Sequence, residues 1–315
     1  MDANKFLSEL NPEQLSAVAH NNGSLLVVAG AGSGKTKVLT TRIAWLIKTH
    51  GISINEILAV TFTNKAAKEM SSRVNKMLAI DTRIMWIGTF HSIALRFLTQ
   101  HKAEALLPNH FQIIDNQEQL SQIKKIIKNS NLDEDRYPAK ELQKFINRNK
   151  ENGVRPSELT ENGLREKHWI QIYTEYEAVC NREGLVDFTE LLLRSYELLK
   201  REKEILKRYQ TQFKYILVDE FQDTNSIQYR WLKLLCNKNT QVFAVGDDDQ
   251  SIYSFRGAKV SNMQSFLRDF NAPSPIRLEQ NYRSTTKILD AANSIINNND
   301  KHNFKFQTFC CMYGH

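Results

Sequence analysis

The sequence predicts an α/β fold, a parallel sheet interrupted by a helical insertion, on three observations. Short apolar runs alternate with stretches of helical spacing over the first 115 residues. Between about 116 and 207 the pattern becomes helical and rich in Lys, Glu, Gln and Asn. Short apolar runs then return, and two of them end in acidic residues. Strands alternating with helices are the mark of βαβ units, which build parallel sheets.

The elements follow in order. Leu25 to Val28 reads as a buried strand, with helical spacing from Lys35 to Lys48. Ile57 to Thr61 is a second strand, followed by a helix from Lys65 to Met77, and Met85 to Thr89 is a third. No strand is expected from Asn116 to Lys207. Pro138, Pro156, Gly153 and Gly163 punctuate helices there, since Pro lacks an N–H and Gly tolerates left-handed backbone. Tyr215 to Val218, Val242 to Val245 and Ile276 to Leu278 are the returning strands, before a last helix from about Thr285 to Asn297.

A chain of 315 residues holds about two domains. With 41% hydrophobic and 24% charged residues it is neither disordered nor fibrous. No run of about 18 apolar residues exists, so neither a membrane helix nor a membrane partner is expected. The start, MDANKFLSEL, has no apolar h-region, which makes the cytoplasm the expected compartment. Cysteines at 180, 236, 310 and 311 show no metal-ligand spacing and no disulfide framework. The net charge of +7 suits a polyanionic partner without identifying one.

Four segments carry chemistry. Ala29-Gly30-Ala31-Gly32-Ser33-Gly34-Lys35-Thr36 follows a strand and opens a helix. Glycines there let backbone N–H groups approach phosphates, Lys35 would reach the β- and γ-phosphates, and Thr36 would offer Mg²⁺ its hydroxyl. Ala29 stands where the general pattern has Gly, and a glycine-rich turn without a ligand is the plain alternative. Ile216-Leu217-Val218-Asp219-Glu220 delivers two acids at a strand end. The first could hold Mg²⁺ and the second polarise water, although such strand ends are common. Val245 to Tyr253 places the neutral amide Gln250 beyond three aspartates, as a γ-phosphate sensor or a solvated acidic turn. Leu278 to Ser284 contains Tyr282 and Arg283, a pair suited to stacking on a base and neutralising phosphate.

These segments stand in order with Leu10 to Gln14, Ala59 to Ala67, Gly88 to His91, Gly184 to Phe188 and Asp219 to Asn225. Together they resemble the superfamily 1A DNA helicases of the UvrD/Rep group, from about Phe6 to about Asn299. The resemblance implies a RecA-like P-loop NTPase, using ATP and Mg²⁺ to move 3′→5′ on single-stranded DNA and at single-/double-strand junctions. Repair or replication would be its setting, with DNA repair proteins as further partners. It implies that Gln14 reads adenine, that residues 29–36 and Lys37 hold the nucleotide, and that Tyr282 stacks on the base. Thr36 and Asp219 would bind the metal, Glu220 would act as general base, Gln250 would sense the γ-phosphate and Arg283 would be an arginine finger. Phe62, Asn64, His91, Tyr253 and Phe255 would line the single-strand track, with core packing the alternative for Phe62, Tyr253 and Phe255.

Two positions differ from that family's usual pattern. Phe255 stands where it generally has Trp, which stacks with more area. Lys37 stands for Arg, exchanging a planar contact for a point charge. The implied layout is a first motor domain from 1–115 and 208–277, a helical insertion subdomain at 116–207, the start of a second motor domain at 278–299, and an aberrant tail at 300–315. A chain so divided is expected to lack autonomous unwinding, and Arg283 to sit on a loosely supported segment. A nucleotide- and single-strand-binding module without motor activity stays open, because translocation needs two motor domains closing on one nucleotide. So does a protein that engages repair partners through its insertion.

Overall fold

Burial on both faces decides the strands. The structure is a computed structural model that describes residues 7–160, 163–247, 250 and 261–296, the side chains of 293, 295 and 296 excepted. Its strands are β1 (Leu25–Ala29), β2 (Ile57–Thr61), β3 (Trp86–Thr89), β4 (Gln112–Ile114), β5 (Leu185–Asp187), β6 (Tyr215–Val218), β7 (Gln241–Gly246) and β8 (Ile276–Leu278). Every residue of β1 and β2 is buried, as fits strands covered by helices on both faces. The helices are α1 (Pro12–Val18), α2 (Lys35–His50), α3 (Asn64–Leu78), α4 (Phe90–Gln100), α5 (Asn116–Asn129) and α6 (Ala139–Glu151). They continue with α7 (Leu164–Glu183), α8 (Phe188–Arg201), α9 (Lys203–Gln212), α10 (Ser226–Leu235), α11 (Ser261–Asp269) and α12 (Thr286–Ile296). None of them is long and apolar enough to cross a membrane.

The described chain forms two compact units. The first draws on residues 1–90, 207–224 and 235–315. It holds a six-stranded sheet in the order β3-β2-β6-β7-β1-β8, parallel throughout, so the expected α/β class is what forms. Parallel pairing puts the C-terminal ends of β1, β6, β7 and β8 on one edge. Val28 pairs with Gly246, Ala29 with Leu278 and Val218 with Ala244. In open sheets of this kind that edge is where ligands bind. Behind it, Val38, Ile43 and Trp45 of α2 and Met70 and Val74 of α3 pack on Val27, Ala59, Leu217 and Phe243.

Short α1 is fixed from below by a buried cation. Arg42 is 1% exposed, donates to the carbonyls of Val18 (2.8 Å) and Ala17 (3.4 Å), and lies 4.6 Å over the Phe243 ring. A cation on the last carbonyls of a helix is favoured by their partial charge. Burial still pushes its guanidinium down to about 10.

The second unit, residues 91–206 and 225–234, corrects one expectation. β5 lies inside the stretch expected to be strand-free and pairs in parallel with β4, Ile113 opposite Val186. Three residues are too few to show a period, and only the pairing with β4 makes them a strand. Around them, Ile123, Ile127, Leu142, Ile146, Tyr173 and Tyr176 form an apolar cluster. Beside it lies a buried ionic network. Lys150 is 1% exposed and pairs with Asp187 at 2.7 Å and Glu190 at 2.9 Å. Arg155 contacts Glu190, Glu177 and Glu197, and Arg194 reaches Glu190 at 2.8 Å. Tyr176 and Thr189 each donate to Asp187 at 2.7 Å. Burial opposes the charge on Asp187 and Glu190, but the neighbouring cations prevail and hold both below the usual carboxylate range.

Candidate functional site

Strand β1 stops at Ala29, and the chain turns through a loop before α2 begins at Lys35. The turn needs left-handed backbone at Gly32 (φ +77°) and Gly34 (φ +89°). It also needs space. A Cβ on Gly32 would lie 2.6 Å from Cβ of Arg283, and one on Gly34 would lie 2.7 Å from Nε2 of Gln14. Ser33 Oγ closes the loop by donating to Gly30 O at 2.7 Å. The N-cap of α2 is Gly34, which has no side chain to satisfy the first N–H groups of the helix. Uncapped N–H groups at a helix start form an anion cradle.

The loop borders a cleft of about 340 Å³. Gly32 of the loop and Lys35, Thr36 and Lys37 of α2 line it together with Arg73, Glu220, Gln250, Tyr282 and Arg283. Lys35 Nζ is buried 3.2 Å from Glu220 Oε2, near enough for an ion pair but misaligned for a hydrogen bond. It has no hydrogen-bond acceptor among the described residues. Buried ammonium groups are rarely left so. The lysine, the cradle and the cations Lys37, Arg73 and Arg283 together fit a polyphosphate.

The acids fit a divalent cation. Asp219 directly follows β6, is 4% exposed, and is raised to about 7 by burial and then by the charge of Glu220, against the pull of Lys35. Asp223 is raised to about 6 by the same forces. Among the described residues no three His, Cys, Asp or Glu side chains converge, so a cation here would complete its shell with phosphate and water. Glu220 adopts left-handed backbone (φ 49°, ψ 47°), unusual for a residue with a Cβ, and this turns its carboxylate into the cleft.

A relay invisible in the sequence joins these parts. Gln222 is 1% exposed, donates to Glu220 Oε2 at 2.9 Å and accepts from Asp247 N at 3.0 Å. Asp247 in turn accepts from the Gln250 amide. The expected water-polarising acid and the expected sensor are thus linked through one buried glutamine. Arg73 was also missed. It lies on α3, pairs there with Glu69 at i,i+4, and no motif marks it.

The last segment is better anchored than expected. β8 pairs with β1, Asn281 Nδ2 donates to Ala31 O at 2.5 Å, and Tyr282 N donates to Gly32 O at 2.9 Å. Asn281 Oδ1 accepts from Arg283 N at 2.8 Å. Arg283 therefore starts from backbone fastened to the loop. Gln14 differs in another way. It is 1% exposed, donates to Ser33 O at 2.9 Å and accepts from Asn11 N at 3.3 Å, and so braces the loop from beneath. Lys37 donates to Glu9 O at 2.6 Å while facing the cleft.

Of the residues expected on a nucleic-acid track, Phe62 and Asn64 leave the end of β2. Phe62 is half-buried and Asn64 exposed at the start of α3, where Thr63 Oγ1 accepts from Ala66 N at 3.1 Å. His91 belongs to the second unit, where its ring stands edge-on to half-exposed Phe188 at 6.3 Å. Tyr253 and Phe255 lie outside the described residues.

The chain matches the family described as UvrD/REP helicase N-terminal domain over residues 10–271. It is 53% identical over 304 residues to a DNA helicase II of Haemophilus influenzae, covering 95% of this chain and 42% of that relative. It is 50% identical over 301 residues to DNA helicase II of Escherichia coli, with the same coverage. To the ATP-dependent DNA helicase PcrA of Staphylococcus aureus it is 40% identical over 300 residues, covering 95% of this chain and 41% of the relative. The chain spans less than half the length of the curated relatives it matches.

Proposed function

Because the chain belongs to the UvrD/REP helicase family, whose N-terminal domain is RecA-like, we propose that it binds Mg²⁺–ATP at the cleft and hydrolyses it in response to single-stranded DNA. In this proposal it is the first motor part of a 3′→5′ helicase acting in the cytoplasm on strands and junctions during repair or replication. Residues 1–115 and 208–277 would form the motor, 116–207 its insertion, and 278–299 the entry to a second motor. The buried Lys35 ammonium, without a hydrogen-bond acceptor among the described residues and beside a helix start whose N-cap is a glycine, carries the proposal.

Each residue has a task. Lys35 and the loop N–H groups bind the phosphates, and Lys37, Arg73 and Arg283 offset their charge. Thr36 and Asp219 hold Mg²⁺, which when bound would neutralise the phosphates further. Glu220 takes the proton of the attacking water, held in place by Gln222. Gln250 senses the γ-phosphate. Tyr282 faces the base. Phe62, Asn64 and His91, with Tyr253 and Phe255, contact the strand.

Calorimetry with Mg²⁺–ATP tests this. Lys35→Ala is expected to weaken binding by about 10- to 150-fold, the range for one charge-assisted contact. The unfolding temperature of the ligand-free protein should fall by no more than the ion pair with Glu220 contributes, since the ammonium has no hydrogen-bond acceptor among the described residues. Equal ATP affinity of the two proteins would refute nucleotide binding at this loop.

A second measurement tests the strand. Of the 42 Lys and Arg, 22 lie in the sequence of the first unit against 16 of the 35 acids, so nearly all the positive excess sits there. Single-strand affinity should fall steeply with salt as counterions are released, whatever the base sequence. Phe62→Ala should lower affinity by about 1–3 kcal/mol, the scale of one stacked base, without changing the salt slope. A changed slope with unchanged affinity at low salt would remove Phe62 from the track.

A further inference from the structure

Asn11 does more than a helix cap requires. It precedes α1, and its Oδ1 accepts from Gln14 N at 2.7 Å while its own N–H donates to Gln14 Oε1 at 3.3 Å. That is a capping box, and Ser or Asp would supply its acceptor as well as Asn. The side-chain NH₂ has no part in the cap. It instead crosses to a segment about 270 residues away, donating to Gln280 Oε1 at 3.0 Å and to the Tyr282 hydroxyl at 2.9 Å. The Tyr282 hydroxyl donates in turn to Gln280 Oε1 at 2.9 Å. Three side chains close a ring of hydrogen bonds. Tyr282 is 56% exposed, and these hydrogen bonds tie its phenol beside the cleft.

We propose that Asn11 is a positioning residue for nucleotide binding, orienting the Tyr282 ring as the wall that meets the base while its cap holds Gln14 under the loop. This rests on the nucleotide site proposed above. A side chain already held in its bound orientation loses less rotamer freedom when the ligand arrives. The advantage should reach only ligands that carry a base, because the Asn11–Gln280–Tyr282 ring makes none of the loop contacts that would hold phosphate.

The test compares ADP with inorganic pyrophosphate, both with Mg²⁺, by calorimetry. Asn11→Ser keeps a good cap but removes the NH₂ donor. It is expected to weaken ADP about 3- to 10-fold, the usual worth of one or two hydrogen bonds, and to leave pyrophosphate within about twofold. Tyr282→Phe keeps the ring but loses the hydroxyl, and should behave alike. The double variant should bind ADP no more weakly than either single variant, because both break the same link. Equal weakening of ADP and pyrophosphate by Asn11→Ser would mean damage to the loop and overturn the proposal. Unchanged ADP affinity, or single effects that multiply in the double variant, would overturn it too. Wild-type protein that binds pyrophosphate and ADP equally shows a base wall of no consequence, again against it. Wild-type protein that binds neither ligand overturns the nucleotide site itself, and the role of Asn11 with it.

Discussion

Glu220→Gln is expected to lower single-stranded-DNA-stimulated ATP turnover by about 10²- to 10⁴-fold, the range for losing a general base. Glutamine keeps the shape and the left-handed backbone but cannot take a proton. Binding should behave in the opposite sense. Glu220 places a negative charge 3.2 Å from Lys35, at the edge of the proposed phosphate site. Its removal frees the lysine and relieves repulsion, so ATP affinity should hold or rise. Asp219 should also ionise more readily, since the charge of Glu220 is second only to burial in raising it. Single-turnover hydrolysis and calorimetry on the same preparation check both halves. Turnover within tenfold of wild type would take the base role from Glu220.

The second large effect is on stability. Lys150→Met is expected to destabilise the protein by about 3–5 kcal/mol at pH 7, the cost of leaving a buried carboxylate without its cation. Arg155 and Arg194 still reach Glu190, but no other cation lies within salt-bridge distance of Asp187 among the described residues. The pH dependence has a definite sign. Asp187 and Glu190 are held below their ordinary values, so the stability they lend is present above about pH 4–5 and lost as pH falls through the lowered values. Without Lys150, burial prevails at Asp187 and raises it. The variant then takes up a proton sooner, and the gap from wild type should narrow as pH falls from 7 towards 4. Urea unfolding at both pH values measures it. A gap that is constant or widens towards acid would show that Lys150 does not act through these carboxylates.

Much of the sheet was legible because parallel strands buried on both faces have to be written as continuous apolar runs. Leu25 to Val28, Ile57 to Thr61 and Val242 to Val245 were read as such runs, and each lies in a strand. Leu185–Asp187 was not legible, because its identity lies in Gln112–Ile114, more than 70 residues earlier. The site divides the same way. The turn at residues 30–34 was legible because closely spaced glycines between an apolar run and a helical stretch mark a tight strand-to-helix connection. Gln222 was not, since its task is set by Asp247, 25 residues on. Nor was Asn281, whose partner Ala31 lies 250 residues back. Gln14 was singled out from its motif as a reader of adenine, but only the fold shows that its amide donates to the loop carbonyl of Ser33.

Those carbonyls have a consequence for the proposed binding of an anion at the loop. Gly30 O accepts from Ser33 Oγ, Ala31 O from Asn281, Gly32 O from Tyr282 N and Ser33 O from Gln14. Four successive peptide oxygens are tethered by the chain's own donors. In a trans peptide the N–H points opposite to the oxygen before it. Tethering the oxygens of 30, 31 and 33 therefore aims the N–H groups of 31, 32 and 34 the other way. The peptide planes of the loop are thus fixed by the chain's own hydrogen bonds, and a phosphate arriving at the proposed site would meet them without waiting for those planes to flip.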